Sequence, residues 1–204
     1  MSAPTKKVML GWHWLSKDRS LRFGDKAKVR TGRTLSADGA LSMCVNGMHA
    51  SPRALDALQY APGPIACRVE LIGERIDGGD KSVARSRRVL WMVDATKTLH
   101  EFACWCAEAG LKREREAGRE PDKRSWDAIR VKRRWLRGLA SDKELDAARD
   151  AAWDAAWATA RARDAARAAA WAAARDAAWA AARDAARDAQ NAKLEAMLNA
   201  LHRR

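Results

Sequence analysis

Four histidines, four cysteines and a single tyrosine are the residues of this 204-residue chain best suited to chemistry. His13 lies in Val8–Leu15, and His49 follows Gly47-Met48 just ahead of Ser51-Pro52. Tyr60 ends the short segment after that proline. His49 stands where a strand hands over to a helix, a place suited to a ligand because loops and helix N–H groups converge there. The plainer role for His49 is a hydrogen bond to a nearby carbonyl that fixes its turn, and both readings stay open. Metal chemistry fits less well. His100 and Cys104 stand four apart, with Cys106 two further on, and Cys44 precedes His49 by five. No C-x2-C pair occurs, and Cys104 and Cys106 point about 200° apart on a helix, so small core side chains explain them and no metal is expected. Catalysis by Cys44 or Cys67 with His49 needs a proximity that only the fold can supply.

A second set of candidates is basic. Residues 111–140 hold 11 Lys+Arg against 5 Asp+Glu, above all Lys123, Arg124, Arg130, Lys132, Arg133, Arg134 and Arg137, with Trp126 and Trp135 interleaved. Such a density suits phosphates or an acidic protein face; a solvated helix face accounts for it equally well. The formal net charge of the chain is +13. Residues 1–110 carry 17 Lys+Arg and 11 Asp+Glu, and residues 141–204 carry 11 and 10, so the excess is densest in the connector.

The elements that must position these groups read as an α+β domain over residues 1–97. Strands are expected at Val8–Leu15, Ile65–Ile72 and Val83–Val93, with Asp77-Gly78-Gly79-Asp80 as a loop between the last two. Ser51-Pro52 predicts a helix start, hydroxyl at the N-cap and proline at the first turn, with Leu55 and Leu58 buried. Residues 98–140 form a basic helical connector: one helix over Thr98–Ala109, a break around Pro121, and a second over Lys123–Leu139 that offers Trp126, Ile129 and Leu136 to a core. Four cysteines fit reduced thiols, no run of 18 apolar residues is present, and no signal core precedes Lys7. Membrane spanning and secretion are therefore not expected.

Residues 141–204 form an Ala/Trp/Arg tetrapeptide-repeat helix of coiled-coil or rod type. Ser141-Asp142-Lys143-Glu144 is a capping box, and neither glycine nor proline follows Gly138. A period of four drifts about 40° per repeat, and the skip between Arg161 and Arg163 resets it. Trp153, Trp157, Trp171 and Trp179 thus share one stripe, with arginines four residues away able to stack on the indoles. A stripe on so long a helix needs cover from another copy, a groove, or the basic helix folded along it; a homo-oligomer is the expectation.

Residues 8–100 also carry Cys44-Val45-Asn46-Gly47-Met48-His49-Ala50, a short helix ending in Tyr60, Cys67-Arg68-Val69-Glu70, and Gly79-Asp80-Lys81-Ser82-Val83-Ala84. In these motifs, and in the Ala/Trp/Arg/Asp tail, the chain resembles an uncharacterised α+β domain family of tailed phages and prophages. The resemblance implies a phage origin and a host-cytoplasm setting and brings no activity. Gly47-Met48-His49-Ala50-Ser51 followed by Ala57-Leu58-Gln59-Tyr60-Ala61 is similar to the ADP-ribosyltransferase core. That likeness implies an NAD cofactor held by His13, His49 and Tyr60. Its late glutamate has no counterpart in Arg87–Asp94, and Glu101 falls at a helix start.

The leading expectation is a phage-encoded, non-enzymatic module without cofactor, oligomerised through its C-terminal helix. It would bind nucleic acid or a host protein and so interfere with host defence. The alternatives are an NAD-linked ADP-ribosyltransferase-like enzyme and a structural assembly component. A cleft joining His13, His49, Tyr60 and an acid favours the enzyme; a filled surface favours the binding module.

Overall fold

The computed structural model describes residues 8–21, 28–168 and 176–203, with side chains for 8–21, 28–158 and 183–203. Its contacts divide the chain into two units, residues 1–98 with 187–204, and residues 99–186.

The first unit is built on an antiparallel sheet of five strands: β1 (Met9–Leu15), β2 (Thr34–Ser36), β3 (Met48–Ala50), β4 (Ile65–Asp77) and β5 (Ser82–Asp94). β4 and β5 form a long hairpin, and β1 pairs with the outer side of β4, placing His13 opposite Cys67. The far side of β5 takes β3 and β2 in tandem, Met48–Ala50 against Ala84–Ser82 and Thr34–Ser36 against Arg88–Ser86. Ser51 then exchanges both backbone hydrogen bonds with Trp12, at 2.7 and 3.0 Å. The strands therefore come round on themselves, from β1 through β4, β5 and β3 back to β1. Gly11 permits this closure, since a Cβ there would lie 3.0 Å from both Ala50 Cβ and Ser51 O. The core cluster of the unit holds Leu15, Ile65, Cys67, Val69, Leu71, Ala84 and Val89, and Ile65, Cys67, Val69 and Leu71 alternate along β4 as a covered face requires.

Both hairpin strands were legible but short: β4 runs five residues past Ile72 and crosses Gly73 at φ +91°, beside a register shift between Ile72 and Arg75. Ser51-Pro52 does not start the helix. Ser51 is spent as a strand residue, and α1 (Ala54–Leu58) begins only after Arg53, which makes no side-chain cap. Its buried residues are Ala54, Asp56 and Ala57, not Leu55 and Leu58. The cap arrives from the far end of the sequence. Ala54 N–H donates to Glu195 Oε1 and Leu55 N–H to Asn191 Oδ1, each at 3.0 Å. Arg187 pairs with buried Asp56 at 2.7 Å, and Arg53 with Asp188 at 2.8 Å. These residues lie on α5 (Asp176–His202), whose Leu194 and Leu198 are fully buried. His202 stacks on Trp91 at 4.4 Å, and Trp91 meets Trp12 edge-on at 5.6 Å.

The second unit is helical: α2 (Thr96–Glu116), which starts at the end of the first unit, α3 (Lys123–Leu136) and α4 (Asp142–Ala168). α3 packs against α4, with Ile129, Leu145 and Ala155 buried. The capping box forms as read, Ser141 N–H donating to Glu144 Oε2 at 2.8 Å and Glu144 N–H to Ser141 Oγ at 3.2 Å. The repeat tail is thus shared: α4 belongs to the helical unit, and residues 187–204 belong to the sheet unit. The tail is helical over Asp142–Ala168 and Asp176–His202, and neither a coiled coil nor a rod is shown; Trp171 lies outside the described residues, as does the side chain of Trp179. No helix among the described residues is long and apolar enough to cross a membrane.

Candidate functional site

The sheet unit contains a cavity of about 830 Å³ between the inner face of the sheet and the loops that lead into β3 and out of α1. β1 supplies His13, β3 supplies His49, β5 supplies Arg87, the end of α1 supplies Tyr60, and the β4–β5 turn supplies Lys81. The three residues chosen from the sequence, His13, His49 and Tyr60, therefore line one space. Arg87 and Lys81 were not foreseen. Arg87 shares strand parity with Val83 and Val89, both buried, and that alternation placed it inward.

His49 is held at both nitrogens. Cys44 N–H donates to Nε2 at 3.0 Å, so Nε2 is the acceptor and Nδ1 carries the proton it donates to Gly47 O at 3.1 Å. The ring thereby pins a tight loop in which Cys44 has φ +65° and Gly47 φ +127°. A side chain at Gly47 would collide with Val83, so glycine is required there. Burial pushes the His49 pKa below its ordinary 6.5, against the Gly47 carbonyl, with Lys81 and Arg87 adding repulsion. His13 is driven well below 6.5, first by burial and then by Arg87 and His49. Both imidazoles are neutral at pH 7.

Arg87 is 3% exposed and donates to the His49 carbonyl at 2.7 Å, while its Nε has no partner. Burial lowers its pKa to about 10, which leaves it charged at neutral pH. Beneath it Cys67 is pushed up to about 12 by burial and stays a neutral thiol. At the rim the Tyr60 hydroxyl donates to Asp80 Oδ2 at 2.6 Å, which raises the phenol pKa, and the Lys81 ammonium sits 3.9 Å from the Tyr60 ring centroid. The Cys44 side chain beside Lys81 keeps that ammonium charged, its pKa raised. Arg33 completes the cationic lining, and among the described residues no carboxylate lines the cavity.

The basic candidates of α3 are mostly engaged by neighbours. Arg124 pairs with Asp122 and Arg130 with Asp127, each at 2.7 Å, and Arg133 pairs with Glu108. Arg134 donates to Leu139 O at 2.8 Å and lies 3.7 Å from Glu144, while Lys132 caps the Trp135 ring at 3.7 Å. For Lys123 and Arg137 no acidic partner is found among the described residues. On α4, Trp153 and Trp157 are 66% and 52% exposed, their rings edge-on at 6.2 Å.

Among the described residues no cluster of three or more His, Cys, Asp or Glu is arranged to hold a metal. No protein-family model, no curated protein and no solved structure matches this chain.

Proposed function

We propose that the sheet unit is a small-molecule binding module whose ligand, of nucleotide or dinucleotide size, occupies the cavity of His13, His49 and Tyr60. The observation that carries this reading is the convergence of those three side chains on a space of about 830 Å³, a volume suited to a ligand of that size. Leu35, Val45 and Met48 give it apolar wall for a planar body, and the neutral His13 imidazole brings a polar group to the same space. A hydrolytic or transferase chemistry receives less support. Both His49 nitrogens are committed to its loop, and the carboxylate of Asp80 is held by Tyr60. The unit is therefore read as a binder, with NAD as the first ligand to try and an ADP-ribosyl-transferring enzyme as the alternative. The motifs of residues 8–100 that resemble a phage family support a setting in an infected host's cytoplasm, where sequestering a host nucleotide would interfere with defence.

Titration calorimetry of the full chain with NAD, ADP-ribose and adenosine tests the reading. Binding at micromolar concentration by at least one of them is expected, and it should weaken when Met48 is replaced by a bulkier Trp that fills the cavity. If none of the three binds, the proposal fails. The nucleic-acid reading of α3 has its own observation, that Lys123 and Arg137 have no acidic partner among the described residues. It predicts a salt-dependent association with duplex DNA that is lost when both become Gln.

A further inference from the structure

We infer that Arg87 is the anchor for the negative charge of the ligand, so that the cavity selects a phosphorylated nucleotide over its nucleoside. This rests on the cavity being the ligand site. A guanidinium 3% exposed sits at the wall of that space with one donor, Nε, unpartnered and no carboxylate paired with it among the described residues. Buried arginines are ordinarily matched by an acid or by several carbonyls, since an unpaired buried charge is costly. Among the described residues Arg87 has one carbonyl, that of His49, and its neighbour Cys67 is a neutral thiol. The rest of the lining repeats the sign. Arg33 and Lys81 are cations, and His13 and His49 are neutral. With no acidic partner among the described residues, the geometry points to an anion that enters from outside. A phosphoryl group fits best, because a planar guanidinium pairs two of its N–H donors with two oxygens of one phosphate, and Lys81 at the rim can take a second phosphate of a diphosphate. His49 couples this anchor to the loop, since its carbonyl holds Arg87 while its ring holds Cys44 and Gly47.

The test compares adenosine, AMP and ADP on the full chain by calorimetry, with inorganic pyrophosphate as competitor. AMP is expected to bind at least about tenfold tighter than adenosine, ADP tighter still, and pyrophosphate to displace both. Arg87→Met should bring AMP down to the affinity of adenosine. Its ligand-free melting temperature should hold, because an uncompensated charge has been removed along with one hydrogen bond. Arg87→Lys should recover part of the AMP preference. Should Arg87→Met fail to fold, Lys81→Gln at the rim is expected to weaken ADP more than AMP. Adenosine and AMP binding equally to the unaltered chain would overturn the anchor and leave the cavity reading standing. Binding of none of the three would remove both. An AMP preference that survives Arg87→Met would also overturn it.

Discussion

His49 shows how one side chain can be read from sequence in two ways and be decided by its nitrogens. Both carry a loop hydrogen bond, so His49→Ala is expected to lower stability by about 1–2 kcal/mol in urea unfolding, with nucleotide affinity changing less than the fold does. The same burial sets a pH dependence. His13 and His49 bind protons less readily in the folded chain than at their ordinary 6.5. Between the folded values and 6.5 the unfolded chain holds more protons, so stability rises with pH across that window. It is complete above about pH 6.5 and drains away as the solution is acidified. Unfolding midpoints at pH 7.5 and pH 5 should differ in that direction, and His49→Ala should flatten the curve. A midpoint that rises on acidification would contradict the assignment. At this scale the motif around Gly47 and His49 was visible, because glycine and histidine announce themselves by type. Arg87 was hidden, since an arginine in a strand rich in arginines looks like a solvent-facing residue until its parity with Val83 and Val89 is followed.

Among the elements, α1 is the instructive one. Ser51-Pro52 carries the local signature of a helix start, yet Ser51 closes the sheet against Trp12 and the helix takes its cap from Asn191 and Glu195. Local propensity lost to a strand pairing and to a partner more than a hundred residues away, which no window of sequence can display. The Ser141–Glu144 box needed nothing beyond four consecutive residues, and it formed as read. Because α5 supplies both a cap and two fully buried leucines, Leu194→Ala is expected to destabilise the sheet unit by about 2–5 kcal/mol. Glu195→Ala should cost about 1 kcal/mol through the uncapped Ala54 N–H. Hydrogen exchange of the α1 amides in the two variants checks both; unchanged protection would mean that α5 adds little there. α3 behaves differently. Changing Arg130, Lys132, Arg133 and Arg134 together to Gln removes several exposed ion pairs, each worth well under about 1 kcal/mol, so a small drop in melting temperature is expected.

For the whole molecule, the tail's repeat predicted association through Trp153, Trp157, Trp171 and Trp179. The first two are exposed on α4, and two adjacent indoles at the surface are a costly thing to leave in water. Sedimentation of the full chain at micromolar concentration is expected to show an oligomer that Trp153→Ala with Trp157→Ala shifts toward the monomer. A monomeric unaltered chain would rule the association out. Removing everything after Ala140 is no test of this, because residues 187–204 would go with it and take the buried Leu194 and Leu198 from the sheet unit. The mixed α and β character of the chain was legible from hydrophobic period and turn residues. The return of the last helix to the first unit was not, since an Ala-rich helix looks alike along its length and only Leu194, Leu198 and His202 mark where it packs.

That return has a consequence for how the protein comes into being. The first 98 residues leave the ribosome early, but the segment that caps α1 and stacks on Trp91 is made only after Leu99–Ala186, 88 residues later. At common synthesis rates of about 5–20 residues per second that is a wait of roughly 4–18 s. Through that interval the nascent sheet holds its Trp91 face and the bare α1 amides open to solvent. The helical unit in between, whose contacts are local, is free to form while the ribosome is still at work. The sheet unit, first to be translated, is the last to be finished.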